Sequence, residues 1–442
     1  MQGKFELDCP LIELIPVVSS DEKPTLSGSG FISINENGQF ELKVYFPHAF
    51  AIDEVFEKLN WEAGKVIKDE FYYNLIAHDI SGNVWHAERF IPDKKSGPNG
   101  SMIIGKVPEL YHKRETTIGS KNHLQLFFNE PINVPLNTIV KEVETVGAKT
   151  RKLKTSISLA RFDSFGIDFE IELKENYTVL SAESDEVELT DLIINRIFDA
   201  FCFVVAYSDP WSSMIIKRND IIEYKIRAIT NKKIKSRIQS PISFQRIQNN
   251  NNSVWMLFDK YLAYTAANDV DHNHSISILF YSIMESGKAA LDVEALTLSV
   301  SIESLLGGEL KSLYTLNQRQ KNNIKIVSNI ISEAEELDSD FKQRMAGLLS
   351  SMNSARAKDI LFVLRDRGLI DGDLISTYGK LRNKTAHGAP SSGADIQNFF
   401  NQTSAVLVLF YQLVFLVIEY EGEYTDYGSY QYPTKQFSSK LS

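Results

Sequence analysis

Arg382 and His387 stand five residues apart at the end of a segment with a helical pattern. Over residues 373–387, Leu374, Tyr378, Leu381 and Thr385 form one stripe. Lys380, Arg382, Asn383, Lys384 and His387 lie on the opposite side. Such spacing marks an amphipathic helix with its apolar face toward a core. The polar side gathers positive charge and one imidazole just before Gly388. A guanidinium is a permanent cation whose planar fork suits phosphate oxygens. An imidazole titrates near neutrality and can take or give a proton. RNA brings its own nucleophile, the 2′-hydroxyl. A base for its proton and a cation on the developing pentacoordinate phosphate suffice for transesterification. That reaction requires no metal ion, and no good carboxylate cluster is visible in the sequence. Neither metal nor cofactor is expected.

Two plainer considerations bear on this pair. Positive side chains are favoured at a helix C-terminus in any case, whatever they do there. Positions five apart on an ideal helix are also about 140° apart, at ~100° per residue. Arg382 and His387 of one chain therefore diverge unless the helix loosens at Gly388. A two-fold dimer would let two copies of the pair line one cleft, so the site is expected at an interface between chains.

The elements that must position these residues come next. Asp373 is a suitable N-cap for the helix that carries them. The loop Ala389–Gly393 follows, and Asp395 opens a final apolar helix running to about Glu419. Its Val406, Leu409, Leu413 and Leu416 are expected to supply core and dimer interface. Upstream, Val254, Leu257, Phe258, Tyr261 and Leu262 predict a helix over 254–267. Residues 273–306 predict one or two long helices stopped by Gly307-Gly308, and 321–336 and 340–352 predict two more.

The first half has a different texture. Phe31–Ile34 and Gln39–Phe46 alternate around the turn Asn35-Glu-Asn-Gly38, which is a hairpin signal. Phe71–His78 and Val84–Ile91 repeat it around Ser81-Gly82-Asn83. His123–Phe128 and Phe165–Leu173 also alternate, and one helix is predicted around Leu192–Val205. Strands at this spacing predict a sandwich or a strongly bent sheet. The fold class expected is therefore α+β and multidomain. A β-rich domain occupies 1–235, and a basic, Asn-rich linker covers 236–253. An all-α helical bundle spans 254–420, followed by a Tyr-rich tail over 421–442, an arm or a disordered segment whose tyrosines could stack on bases but read rather as packing across a neighbouring subunit.

Length and composition agree with this division. At about 150 residues per domain, 442 residues suggest two or three units. The chain is 43% hydrophobic and 24% charged, as globular proteins are. Cys9 and Cys202 are too few for a disulfide framework and form no zinc pattern, which fits a reducing compartment. Met1–Glu6 lacks the basic-then-apolar pattern of a signal peptide. The apolar run Ala405–Ile418 is shorter than the ~18–20 residues a bilayer needs and is interrupted by Gln412, so a core helix and a cytosolic protein without a membrane role are expected.

The net charge of −10 argues against a general nucleic-acid coat. Between Lys225 and Leu257, however, there is no Asp or Glu. Lys225, Arg227, Lys232, Lys233, Lys235, Arg237 and Arg246 fall in that stretch. Such a strip can steer a phosphate backbone. Lys232, Lys233, Lys235 and Arg237 are therefore candidate RNA-binding residues, together with Lys380 and Lys384. A solvated linker or edge strand explains the same charges equally well.

Other motifs carry less. Asp269–His274 begins like a calcium loop but has His274 in the sixth place and Phe280 in the twelfth, so calcium is excluded. His272 and His274 lack a nearby third metal ligand and read as a solvent-exposed helix cap. Trp61–Lys65 lacks the first glycine of a phosphate loop. No serine sits in a Gly-x-Ser-x-Gly setting.

The string Leu381-Arg-Asn-Lys-Thr-Ala-His-Gly388 resembles the R-x(4–6)-H signature of HEPN ribonucleases. Its position at a helix end, before a long apolar helix, is similar to the ApeA-like branch. Leu296–Leu306 resembles the glutamate-bearing helix of that branch, and the β-then-α layout resembles ApeA-type bacterial antiviral proteins. The resemblance covers about 190 C-terminal residues by motif and the first half by architecture alone. It implies a metal-independent endoribonuclease that cuts host RNA, transfer RNA among the candidates, to arrest growth during phage infection. Arg382 would then steady the phosphate and His387 would transfer the proton. Asn383 matches the polar residue beside the arginine, and Glu303 the acidic one. The implied partners are RNA, a second copy of the chain, and a phage-derived trigger at the β-rich domain. A non-catalytic HEPN-fold scaffold, or a carbohydrate- or peptide-binding β domain with a helical dimerisation tail, would share these features.

Overall fold

The computed structural model describes residues 5–18, 24–56, 58, 64–116, 121–146, 150–229, 234–244, 252–267, 273–352, 356–386 and 395–439. It divides into two compact units, 1–194 with 209–234, and 195–208 with 235–442.

The first unit is built on strands. In chain order they are β1 (Glu6–Pro16), β2 (Leu26–Ile34), β3 (Phe40–Phe46), β4 (Tyr73–His78), β5 (Val84–Phe90), β6 (Pro92–Gly97), β7 (Gly100–Val107) and β8 (Glu109–Glu115). Then follow β9 (Asn122–Phe128), β10 (Thr138–Val146), β11 (Thr150–Ser164), β12 (Ile167–Leu173), β13 (Thr178–Ser184), β14 (Ser213–Arg218) and β15 (Ile221–Arg227). A short helix α1 (Ile52–Val55) sits between β3 and β4 in the chain. Among the described residues the strands join in one 15-stranded sheet, ordered β10-β11-β12-β13-β9-β14-β15-β8-β5-β4-β1-β2-β3-β7-β6. Among the described residues the strand pairings are antiparallel, for example Ile34 opposite Phe40 and His78 opposite Val84. Both expected hairpins thus form in the register their turns set. Alternation places Leu42, Val44, Leu75 and Ala77 in one core with Ile12, Leu14 and Ile103. The second strand approaches its neighbour so closely that a Cβ at Gly30 would lie 1.9 Å from the Lys43 carbonyl oxygen, so only glycine fits there.

The second unit is helical. Helix α2 (Asp191–Val205) passes its residues from Asn195 onward to this unit. It is followed by α3 (Asn252–Ala267), α4 (Ser275–Ser286), α5 (Leu291–Gly307), α6 (Gln318–Glu333), α7 (Ser339–Ser351), α8 (Ala357–Asp366), α9 (Gly372–Ala386) and α10 (Ile396–Val417). A final hairpin, β16 (Gly422–Thr425) with β17 (Thr434–Phe437), closes the described chain. The run expected as one or two helices over 273–306 is two, with Gly287 capping the first. Caps follow the sequence locally. Asn317 and Gln320 form a reciprocal capping box at α6, and Asp338 accepts from the Phe341 N–H at α7.

Three expectations change. Residues 236–253 are not a free linker in their described part. Ile238 and Ile242 are buried, and the Ser236 hydroxyl donates to the Met284 carbonyl at 2.8 Å. The tail is not an arm reaching out from this unit. Tyr420, Tyr424, Tyr427 and Phe437 are buried, the Tyr427 hydroxyl donates to the Ser240 carbonyl at 2.8 Å, and buried Gln412 donates to the Tyr424 hydroxyl at 3.0 Å. Helix α10 is not an interface stripe either. Val406, Leu409 and Leu413 are fully buried within the unit, as the core half of that expectation has it, and of the four only the half-buried Leu416 keeps any exposed surface. α10 is long and apolar enough to cross a bilayer by composition, yet 67% of its most apolar window is buried inside the protein.

Candidate active site on helices α5 and α9

Helix α9 turns Ile375, Tyr378 and Leu381 into the core of the second unit. This i, i+3, i+6 stripe fixes the rotation of the helix and therefore where its cations go. Arg382 is carried toward α5. Its Nε donates a hydrogen bond to Oε1 of Glu303, and the Tyr378 hydroxyl donates to the same oxygen at 3.4 Å. The bond to Glu303 raises the arginine pKa further, so the guanidinium stays charged at any accessible pH. A guanidinium has five N–H donors. Glu303 engages the one on Nε, and the Arg382 side chain remains 47% exposed. The arrangement thus holds a cation at a set place while leaving much of it accessible to an anion.

Lys384 is engaged differently. Its ammonium lies 3.3 Å from Asp395 and 4.8 Å from the centre of the Phe399 ring, tying α9 to the start of α10. Asp395 forms no side-chain cap on α10. It accepts from Lys384 and from Asn398, which together hold its carboxylate below the usual range. Lys380 and Asn383 line a groove against α8. His387 lies outside the described residues, as do Lys232 and Lys233.

At Lys225, Arg227 and Arg237 the basic strip is engaged in ion pairs. Arg237 donates to buried Glu294 at 2.9 Å. Within the first unit, Arg227 donates to Glu109 at 2.7 Å and stacks on Trp211, while Lys225 lies 3.4 Å from Glu223. The carboxylates that neutralise Arg227 and Arg237 come from distant positions, so the absence of acids along 225–257 does not make a basic surface at these residues. Lys235 is exposed.

His274 is the N-cap of α4, its Nδ1 accepting from the Ile276 N–H at 3.2 Å, but it is buried rather than solvent-exposed. Burial, and secondarily Arg196, depress its pKa, whereas Glu309 pulls the other way. Nearby in the same unit, Asp199 is buried, receives a 2.8 Å bond from the Tyr281 hydroxyl, and has its pKa raised by burial. Among the described residues no group of three or more His, Cys, Asp or Glu is placed to hold a metal ion.

Two cavities lie on the first unit's sheet. One of about 560 Å³ is lined by Asp163, Asp168, Glu170 and Glu183 against Arg161 and His123. The other, about 310 Å³, sets Glu88, Glu109, Asp191 and Glu223 against Lys113, Arg218 and Lys225.

Helix α8 escaped the sequence reading, and with it Lys358, Phe362 and Arg365. The usable signal was Ile360, Leu361 and Leu364 at helical spacing, all buried. No family model, no curated protein and no solved structure matches this chain.

Proposed function

We propose that the protein is a metal-independent endoribonuclease of HEPN type, cutting RNA by attack of the 2′-hydroxyl on the adjacent phosphate. The observation that carries the reading is the half-exposed Arg382 guanidinium on α9, anchored on α5 by Glu303 and five positions before His387 in the sequence. In this scheme Arg382 binds the phosphate oxygens and neutralises the charge that builds on them. His387 takes the 2′-hydroxyl proton and returns one to the leaving 5′-oxygen. Glu303 positions Arg382, and Asn383 stands beside it on the groove side.

The proposal includes a homodimer. On α5, Val293, Leu296 and Val300 are exposed at i, i+3 and i+7, and Glu303 continues the same line. A second copy seated on this stripe would bring two Arg382 and two His387 residues toward one cleft. This stripe replaces the buried α10 residues as the expected contact. We further propose a cytoplasmic defence role, with host RNA such as transfer RNA as target and the β-rich unit restraining the nuclease until a phage-derived trigger binds.

The test is sequencing of RNA ends from cells expressing the wild type, Arg382→Ala and His387→Ala. The reading expects new 2′,3′-cyclic phosphate ends with the wild type alone, and their persistence in chelator. If all three chains give the same ends, the non-catalytic scaffold reading takes its place.

A further inference from the structure

A groove of about 390 Å³ runs between α8 and α9. Lys358, Phe362 and Arg365 of α8 line one wall, and Gly372, Ile375, Ser376, Gly379, Lys380 and Asn383 the other. Its lining carries three cations and no carboxylate. The two cavities on the β-rich unit each carry four carboxylates, so this charge pattern sets the groove apart among those described.

The cations are gathered rather than scattered. Lys358 lies 5.4 Å and Arg365 4.7 Å from the centre of the same Phe362 ring, although Arg365 also pairs with Asp366 at 2.7 Å. Between the charged rims the floor is apolar and bare. A Cβ at Gly379 would meet nothing within 4 Å, and one at Gly372 would meet only the Arg365 chain, at 3.4 Å. From Gly372 to Asn383 the wall spans about 16 Å, at ~1.5 Å per residue, and it ends beside Arg382. Cations for phosphates along an apolar strip for bases are what a single strand requires.

We propose that this groove binds single-stranded RNA next to the bond cut at Arg382 and His387. Lys358, Arg365 and Lys380 take backbone phosphates, and the Phe362 ring with the open space at Gly379 receives a base. The assignment rests on the nuclease reading for the location of the bond, and on the groove itself for binding.

The experiment measures anisotropy of a fluorescein-labelled oligouridylate with the full chain carrying His387→Ala, so that the probe stays intact. Adding Lys358→Glu and Lys380→Glu should weaken binding by about tenfold or more and lower the salt slope by about 1.4, from ~0.7 per lost single-strand phosphate contact. Gly379→Leu, which fills the groove without changing charge, should also weaken binding. Melting curves check that each variant folds. Wild-type affinity in both variants, or no binding of the probe at all, overturns the proposal. So does capture by phosphatidylserine vesicles in place of the oligonucleotide. If RNA ends in cells depend on His387 while the groove variants bind normally, the groove falls and the nuclease reading stands. If the variants lose the probe but the ends do not depend on His387, the groove stands without the nuclease.

Discussion

Arg382 donates through Nε to Glu303, a residue 79 positions earlier in the chain and on a different helix. Both side chains are substantially exposed, at 47% and 38%. A pair this accessible is worth at most about 1 kcal/mol to stability. Its value is better sought in what it does to the direction of the guanidinium.

Glu303→Ala should therefore leave the unfolding free energy within about 1 kcal/mol of wild type. On the proposed nuclease reading, RNA cleavage should fall by about 10–100-fold, because a cation meant to bind phosphate loses much of its effect when displaced by an ångström. Glu303→Gln keeps an acceptor at the same place and should recover part of the rate. Cleavage at the wild-type rate by Glu303→Ala would sink the positioning role, and faster cleavage would mean that the carboxylate restrains the arginine.

Arg237 offers the opposite case. Its partner Glu294 is buried, with its pKa raised by burial against the pull of Arg237. Removing the arginine leaves a buried acceptor unsatisfied, at a cost of about 1–3 kcal/mol. Arg237→Ala should thus lower the urea midpoint of the helical unit while RNA affinity, measured under folding conditions, stays unchanged. A variant of normal stability with weakened RNA binding would restore Arg237 to the RNA-binding set.

His274 makes stability depend on pH with a definite sign. Burial puts its folded pKa below the unfolded value of about 6.5. The unfolded chain takes up the proton first. The stabilisation is therefore present above about pH 6.5 and is lost as pH falls through the folded pKa. Asp199, raised by burial, acts in the reverse direction. His274→Asn keeps an N-cap acceptor and removes the titration. Urea midpoints between pH 7 and 5.5 should fall less steeply in this variant, and parallel slopes would show that another group is responsible.

Gly347 lies inside α7 with open space where a Cβ would stand. Alanine there should stabilise the helix by about 0.5–1 kcal/mol through helix propensity and the unfolded chain. Hydrogen exchange of the α7 amides is the suitable readout, since two units need not unfold as one. Faster exchange in Gly347→Ala would mean that the open space is used by something else.

What the sequence determined by itself was local. Alternation and turn chemistry placed the hairpins over 31–46 and 71–91, and i, i+3, i+4 spacing placed the helix over 254–267 and the one carrying Arg382. These signals report which face of an element is apolar, and they need no partner to be read. Through-space partners were decided only by the tertiary structure. Glu303 for Arg382, Glu294 for Arg237, and the core that takes in Tyr420, Tyr424 and Tyr427 all join residues far apart in the chain. Helix α8 was missed because it is only 10 residues long, too short for its apolar spacing to repeat. Burial and charge neutralisation depend on what packs opposite, and a linear pattern does not contain that.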